Sequence, residues 1–381
     1  MKDRQTRRKE IILGALVADA ASMGLHWIYS QPKIRRIAPE APEFLEPDPS
    51  NYEGIPAYFA HDARHAGDFS MYGEGMLVVL RSVAETQTFD WQHYARAFQG
   101  HFGFGGEYVG YIDTPTRITL TNQIKQYEEL LERATAVPFD GEEKEKKSVT
   151  SKVLGQFQIL RGEDLREKVR DTIRQTKGGD AEQDLASRMI SVLEETRTYP
   201  GADDVQLPAL TKVPILVAAF PDDPDLDRTI EEAVRVTHNN DTAVAWALFF
   251  GRLLRWSLDD GASSEGFKTA IRDASAASPG DVRDAIDEML RRTGEDNKTV
   301  TMKLGPACGL DSGVPVALHN LLGTDSYVDA VRRNIWACGD SCGRAVVVGS
   351  LAAVLFDGVP RDWIERLSRS DEVSALVEGL G

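Results

Sequence analysis

Apolar positions recur along this chain with a helical period far more often than with the two-residue alternation of half-buried strands. Residues 11–25 (IILGALVADAASMGL) are apolar nearly all round, the pattern of a helix buried on every side. Residues 343–356 (GRAVVVGSLAAVLF) repeat it near the other end of the chain. The Val346-Val347-Val348 run also suits a buried strand, but the length and the small residues favour a helix. Between these ends, Asp90 stands as an N-cap before Trp91, Tyr94, Ala95 and Phe98 at i, i+3, i+4 and i+7. Further helices are predicted over 77–84, 116–136, 150–176, 180–197, 225–237, 241–257, 264–276 and 279–293, and from a Thr324 or Ser326 cap to about 338. Polar stretches at 139–149 and 198–206 read as surface loops. No fixed-period repeat is visible.

The pattern is all-α. Two helices buried all round at opposite ends of the chain need a shared core, so one compact multi-helix domain over 1–381 is expected, with 139–180 as a charged peripheral excursion. The chain has 381 residues, 42% of them hydrophobic, enough for a large core. A net charge of −16 repels phosphate backbones and disfavours nonspecific nucleic-acid binding. An anionic ligand can still bind locally at helix N-termini. Three cysteines, Cys308, Cys338 and Cys342, form no disulfide framework and suit a reducing, cytoplasmic location. The basic start MKDRQTRRKE leads into an apolar run that contains Asp19 and lacks a cleavage site, so no signal peptide is expected. No stretch approaches about 20 uncharged apolar residues, so no membrane span is expected either.

Four segments place chemically useful residues against this helical background. Asp19 lies inside the first apolar helix, ahead of Leu25-His26-Trp27. A lone buried carboxylate is costly unless paired, so Asp19 either serves a site or caps a neighbouring loop. Next, His65–Met76 contains Tyr72-Gly73-Glu74-Gly75 and runs into a helix, where Glu74 complements the dipole or serves a site. Residues 304–315, rich in glycine and proline, carry Cys308 before an apolar helix. Finally, Cys338-Gly339-Asp340-Ser341-Cys342-Gly343-Arg344-Ala345 opens the second core helix, with Asp340 or Ser341 as N-cap. A carboxylate beside exposed N–H groups is what a metal-plus-phosphate site needs. The glycines of Gly103-Phe104-Gly105-Gly106 follow no strand and lack the context of a dinucleotide fingerprint.

In their order, these segments resemble the ADP-ribosylglycohydrolase superfamily. That family has an Asp in a Gly-Asp-Ala context on an N-terminal buried helix, a Thr-Asp-Asp-Thr segment opening a helix, and a Gly-Gly-Asp-Thr-Asp-Thr-Asn-Ala segment opening another near the C-terminus. Here Ala18-Asp19-Ala20, Tyr72-Gly73-Glu74-Gly75 and Cys338–Ala345 stand in matching order, and Thr237-His238-Asn239-Asn240 is similar to the family's central Thr-His segment. Leu25-His26-Trp27, the Cys308 loop and Cys342-Gly343-Arg344-Ala345 are more similar to the J1-crystallin and selenoprotein J branch. The resemblance spans roughly residues 10–358 and implies the all-α orthogonal bundle of that family.

It also implies a hydrolase cleaving an ADP-ribosyl or related ribosyl N- or O-glycosidic bond, with Glu74 and Asp340 as catalytic residues and metal ligands. Asp19, His26, Tyr72, Gly73, Asp113, His238, Ser341, Cys342 and Cys308 would line the ligand site. The implied partner is an ADP-ribosylated substrate or an ADP-ribose-like small molecule. The implied cofactor is Mg²⁺, one ion rather than two, with no organic cofactor. The departures matter here: the family's two Asp pairs become Gly73 with Glu74 and Asp340 with Cys342, and a thiol is a poor ligand for Mg²⁺. The two carboxylates could therefore work without metal, as in glycoside hydrolysis generally. A catalytically silent, crystallin-like binding or structural protein that keeps the nucleotide pocket is the alternative. Cys342 at a helix N-terminus could carry a lowered pKa and act with Cys308, or simply fill space. Asp113 could cap the helix that follows it, and His238 could be a core or capping residue. Trp27 and Tyr72 could stack on a ligand ring or belong to the core.

Overall fold

Ser70 accepts a hydrogen bond from the Tyr72 amide, and Asp340 from the Gly343 amide. These two caps start the helices that position the site. The computed structural model describes residues 2–157, 162–176, 178–195, 198–259 and 261–380. In chain order its helices are α1 (Arg4–Ser22), α2 (Gln31–Ile37), α3 (Met71–Thr86), α4 (Trp91–Phe102), α5 (Thr114–Thr135), α6 (Glu143–Phe157), α7 (Gly162–Gln175), α8 (Asp180–Leu193), α9 (Val213–Ala219) and α10 (Leu226–Thr237). Then come α11 (Asp241–Ser257), α12 (Ser264–Ala276), α13 (Gly280–Leu290), α14 (Asn297–Leu304), α15 (Leu310–Leu322), α16 (Tyr327–Trp336), α17 (Ser341–Leu355), α18 (Arg361–Ile364) and α19 (Ser370–Glu378). Short 3₁₀ turns occupy Met23–Leu25, Pro49–Tyr52 and Leu207–Lys212. Among the described residues there is no β-strand, only isolated bridges such as Gln206 with Gly309. The fold is all-α, as the periodicity predicts.

The chain divides into two compact units, Met1–Thr119 with Gly201–Gly381, and Leu120–Pro200. The excursion expected over 139–180 falls inside the second. At the centre of the first unit, α1 packs along α17, the two helices predicted to be buried all round. Gly14 and Gly349 face each other there: a Cβ on either would overlap the other's carbonyl, so the backbones approach too closely for any side chain. Leu16, Val17, Val347 and Val348 are wholly buried around the crossing.

The second unit has a core of its own, in which Leu130, Val149, Val153, Phe157, Leu165, Val169, Ile173, Leu185 and Met189 are buried. The loop expected over 139–149 is corrected here, because α6 begins at Glu143. Glu143 and Glu145 sit in its first turn, where they complement the helix dipole, and Val149, Val153 and Phe157 at i, i+4 and i+8 supply the buried face. The predicted continuity through 158–161, and the end of the 180–197 helix at 196–197, lie outside the described residues. α3 starts at Met71, six residues ahead of the predicted 77, which brings Glu74 into its first turn.

Candidate functional site

Asp340 is fully buried, yet both oxygens of its carboxylate have partners. Its Oδ1 accepts from His26 Nε2 at 2.9 Å and from the Gly343 amide at 2.8 Å. Its Oδ2 accepts from the Tyr72 hydroxyl at 2.6 Å. Burial alone would raise this carboxyl, but the hydrogen bond and charge of His26, with Cys308 and Tyr72, outweigh it and hold the group at about 2. With Asp340 ionised, His26 must donate from Nε2. Its Nδ1 meets His61 Nε2 at 2.9 Å, and burial holds His61 well below the usual imidazole range, hence neutral.

The loop that presents Asp340 is strained and pinned. Trp27, Cys338 and Gly339 lie in the left-handed region, with φ of 64°, 73° and 70°. Two such non-glycine residues cost on the order of 1–3 kcal/mol each unless the surroundings over-determine them. They do: the Trp27 amide donates to the Gly339 carbonyl at 2.9 Å and the Gly339 amide to the Ile28 carbonyl at 2.8 Å. Arg344, wholly buried, donates to the carbonyls of Cys338 at 2.5 Å and Pro306 at 3.3 Å and to Asn334 Oδ1 at 2.9 Å. Beside this loop, Trp27, Tyr58 and Tyr111 form an aromatic trio with centroid separations of 5.1–5.6 Å, and Tyr58 is 55% exposed.

Glu74 and Asp340 lie on neighbouring elements, since Tyr72, on the same turn as Glu74, reaches Asp340. Their carboxylates nevertheless share no hydrogen-bond partner. Glu74, also buried, has Oε2 at 2.9 Å from His101 Nε2 and Oε1 at 3.3 Å from the Arg64 guanidinium, which lies over the Tyr108 ring. Asp19 accepts from the Ser70 amide at 2.9 Å and hydroxyl at 2.5 Å. Burial drives Asp19 up to about 7 against those bonds, and the Glu74 charge adds to the rise. Gly73 lies against Asp19 Oδ2, where any side chain would collide with it.

The remaining predicted residues fall in other places. Asp113 Oδ1 caps α5 through the Thr116 amide at 2.8 Å, while its Oδ2 is buried without a partner in the protein. His238 bonds Thr237 Oγ1 through Nδ1 at 2.9 Å, and its buried Nε2 has no hydrogen-bond partner, with Asp204 Oδ1 3.7 Å away. Between them lies Lys212, which sequence reasoning missed: a 2% exposed ammonium with one bond, to the Pro208 carbonyl at 2.8 Å. Burial pulls Lys212 down to about 7 although Asp113 supports its charge. The Ser341 hydroxyl turns away toward the Ser22 carbonyl at 3.4 Å. The thiol expectation for Cys342 is overturned: burial, then the Asp19 and Asp340 carboxylates, push it well above the ordinary range, outweighing any helix-end effect. Cys308 and Cys338 are also raised by burial, and all three cysteines are free thiols. His61, Arg64 and Lys212 carried no sequence signal, since each sits outside a periodic motif, whereas His101 continues the buried Tyr94–Phe98 face of α4 and was missed there.

The family model described as ADP-ribosylglycohydrolase matches residues 1–381. The chain belongs to the ADP-ribosylglycohydrolase family. Crystallin J1A of Tripedalia cystophora is 27% identical over 379 residues, covering 98% of this chain and 96% of that protein. Crystallin J1B of the same organism is 26% identical over 370 residues, covering 96% and 94%. A solved structure described as an ADP-ribosylglycohydrolase-related protein complex aligns with a TM-score of 0.60 at 19% identity, over 100% of this chain and 98% of that one, and shows the same fold.

The Mg²⁺ implied by resemblance to an ADP-ribosylglycohydrolase does not fit the residues present. The oxygens of Glu74 and Asp340 are engaged by two imidazoles, a guanidinium, a hydroxyl and an amide. Among the described residues no set of three or more His, Cys, Asp or Glu side chains could hold a metal ion. No described helix is long and apolar enough to cross a membrane.

Proposed function

We propose that this chain hydrolyses an ADP-ribosyl or related ribosyl N- or O-glycosidic bond at the Asp340 centre. The carrying observation is the Asp340–His26–His61 chain with Tyr72 at the start of a buried helix, within a family of glycosidic hydrolases. A carboxylate held ionised in a dry setting stabilises the positive charge that develops on the ribose as the glycosidic bond breaks. At about 2 it is a weak base, so it acts by charge and position. Asp113 fits the complementary role. Burial raises its carboxyl, and Oδ2 has no partner in the protein. It would take a proton from the water whose oxygen bonds the anomeric carbon as the glycosidic bond breaks, and pass that proton to the departing group. Buried polar atoms without hydrogen-bond partners each cost about 1–3 kcal/mol, and Asp113 and His238 supply such valences for ribose hydroxyls or phosphate oxygens, beside the Lys212 amine. The Trp27–Tyr58–Tyr111 trio offers a stacking surface for a base.

The test is release of ADP-ribose from mono-ADP-ribosylated protein and nucleic acid. Asp340→Asn should lose on the order of 100-fold in kcat and Tyr72→Phe about 10-fold, with the fold retained by circular dichroism. A second reading has its own support: the relatives named above are crystallins, and both acidic centres are saturated from within the protein. If the unmodified chain releases nothing from any of these linkages yet still binds ADP-ribose, it is a silent protein that keeps the pocket.

A further inference from the structure

The acidic centre contains three buried carboxylates, and each is matched by donors from the chain itself. Asp19 is held by Ser70, Glu74 by His101 and Arg64, and Asp340 by His26, Tyr72 and the Gly343 amide. We infer that this centre binds no divalent cation, and that the Arg64 guanidinium on Glu74 and the His26 Nε2–H on Asp340 stand where a metal would coordinate.

Three observations carry the inference beyond a shortage of carboxylates. The Arg64 guanidinium is itself largely buried, with 11% of its side chain exposed, and it is anchored on both sides, by Glu74 and by the face of Tyr108 at 4.3 Å. A cation approaching Glu74 would have to expel it or endure its repulsion. Gly73 could not be replaced by an acidic ligand, because Asp19 Oδ2 already occupies the space of its side chain. Cys342 is an uncharged thiol in contact with the Asp19 carbonyl at 3.7 Å, so it offers Mg²⁺ neither charge nor a hard oxygen. Mg²⁺ demands a near-octahedral set of oxygens and gives up its water reluctantly, and no part of this set meets that demand.

The experiment is calorimetric titration of the full chain with MgCl₂ and with MnCl₂, alongside thermal melting in millimolar metal or EDTA. Dilution heats alone and a Tm indifferent to both are expected. Saturable binding that disappears in Glu74→Gln or Asp340→Asn would overturn the inference. Arg64→Met supplies the converse: with the guanidinium gone, Glu74 keeps only His101 as a partner beside Asp19, so Tm should fall and Mg²⁺ should restore part of the loss. Arg64→Lys, which keeps the charge, should remain indifferent to metal and serves if the Met variant does not fold. An Arg64→Met protein that melts lower but gains nothing from Mg²⁺ would deny Arg64 this role. ADP-ribose release is a separate readout, because an active metal-free hydrolase and a silent protein both satisfy the inference.

Discussion

Asp19 and Lys212 are almost wholly buried, and burial moves them in opposite directions toward the same pH. Asp19 rises from 3.8 to about 7, and Lys212 falls from 10.5 to about 7. Between about pH 4 and 7 the folded chain holds a proton on Asp19 that the unfolded chain has released, so this group's contribution to stability falls as pH rises. Between about pH 7 and 10.5 the unfolded chain holds a proton on Lys212 that the folded chain lacks, so stability recovers. Together the two groups cut a trough near neutrality, because each tenfold change in proton affinity on folding is worth about 1.4 kcal/mol. Asp340 behaves conventionally: its contribution is present above 3.8 and lost as pH falls toward about 2. Urea denaturation across this range checks the trough. Relative to the parent chain, Asp19→Asn should gain stability steadily from about pH 4 to 7, and Lys212→Met should show its largest advantage at or below about pH 7. Curves parallel to the parent's across those windows would remove the two residues as its cause. If Lys212 helps to bind the ligand, the same Met variant should also bind ADP-ribose more weakly, because the amine's cost in stability is then what keeps a polar site ready.

At the scale of the element, the α1–α17 crossing is the device on which the acidic centre depends. Asp19 projects from α1, and Asp340 caps α17. The two backbones meet at Gly14 and Gly349. Gly349→Ala places a methyl against the Gly14 carbonyl with no free space, and should destabilise the fold by about 1–3 kcal/mol or more. Ala is the better helix former, so an exposed helix would instead gain about 1 kcal/mol from the same change. A stabilised Gly349→Ala chain in denaturant unfolding would mean that the helices can separate. Both helices were readable in the sequence because they are apolar on all sides, and so were the caps at Asp90, Ser326 and Asp340. The start of α6 was not, because its first turn is a charge run that looks like a loop until Val149, Val153 and Phe157 find their core. The pairings at the site were hidden for a different reason. His26 and Asp340 are 314 positions apart, and Arg64 and His61 lie in an irregular segment where no period marks which way a side chain turns. Lys212 ends a 3₁₀ turn too short to declare a buried face, so a lysine there reads as solvent-exposed.

Over the whole molecule, two electric fields of opposite reach act on an anionic ligand. The chain carries 60 acidic and 44 basic residues and a net charge of −16. At a distance it therefore repels the pyrophosphate of ADP-ribose. The favourable charges, on Arg64 and Lys212, are buried and act only at contact. Salt screens the first field strongly, since the Debye length shrinks from about 30 Å at 0.01 M to about 8 Å at 0.15 M. It reaches the second weakly, because buried pairs are shielded from the solvent. Association should thus quicken with salt while dissociation stays nearly constant, so that affinity tightens by about the factor gained in rate. This is the reverse of the dependence shown by sites that draw their ligand in through an exposed basic funnel. Stopped-flow binding of a fluorescent ADP-ribose analogue at both ionic strengths measures it directly. A rise of about two- to ten-fold in association rate is expected. A falling rate would place an outward-facing positive field at the mouth of the site, strong enough to reverse the sign set by the rest of the chain.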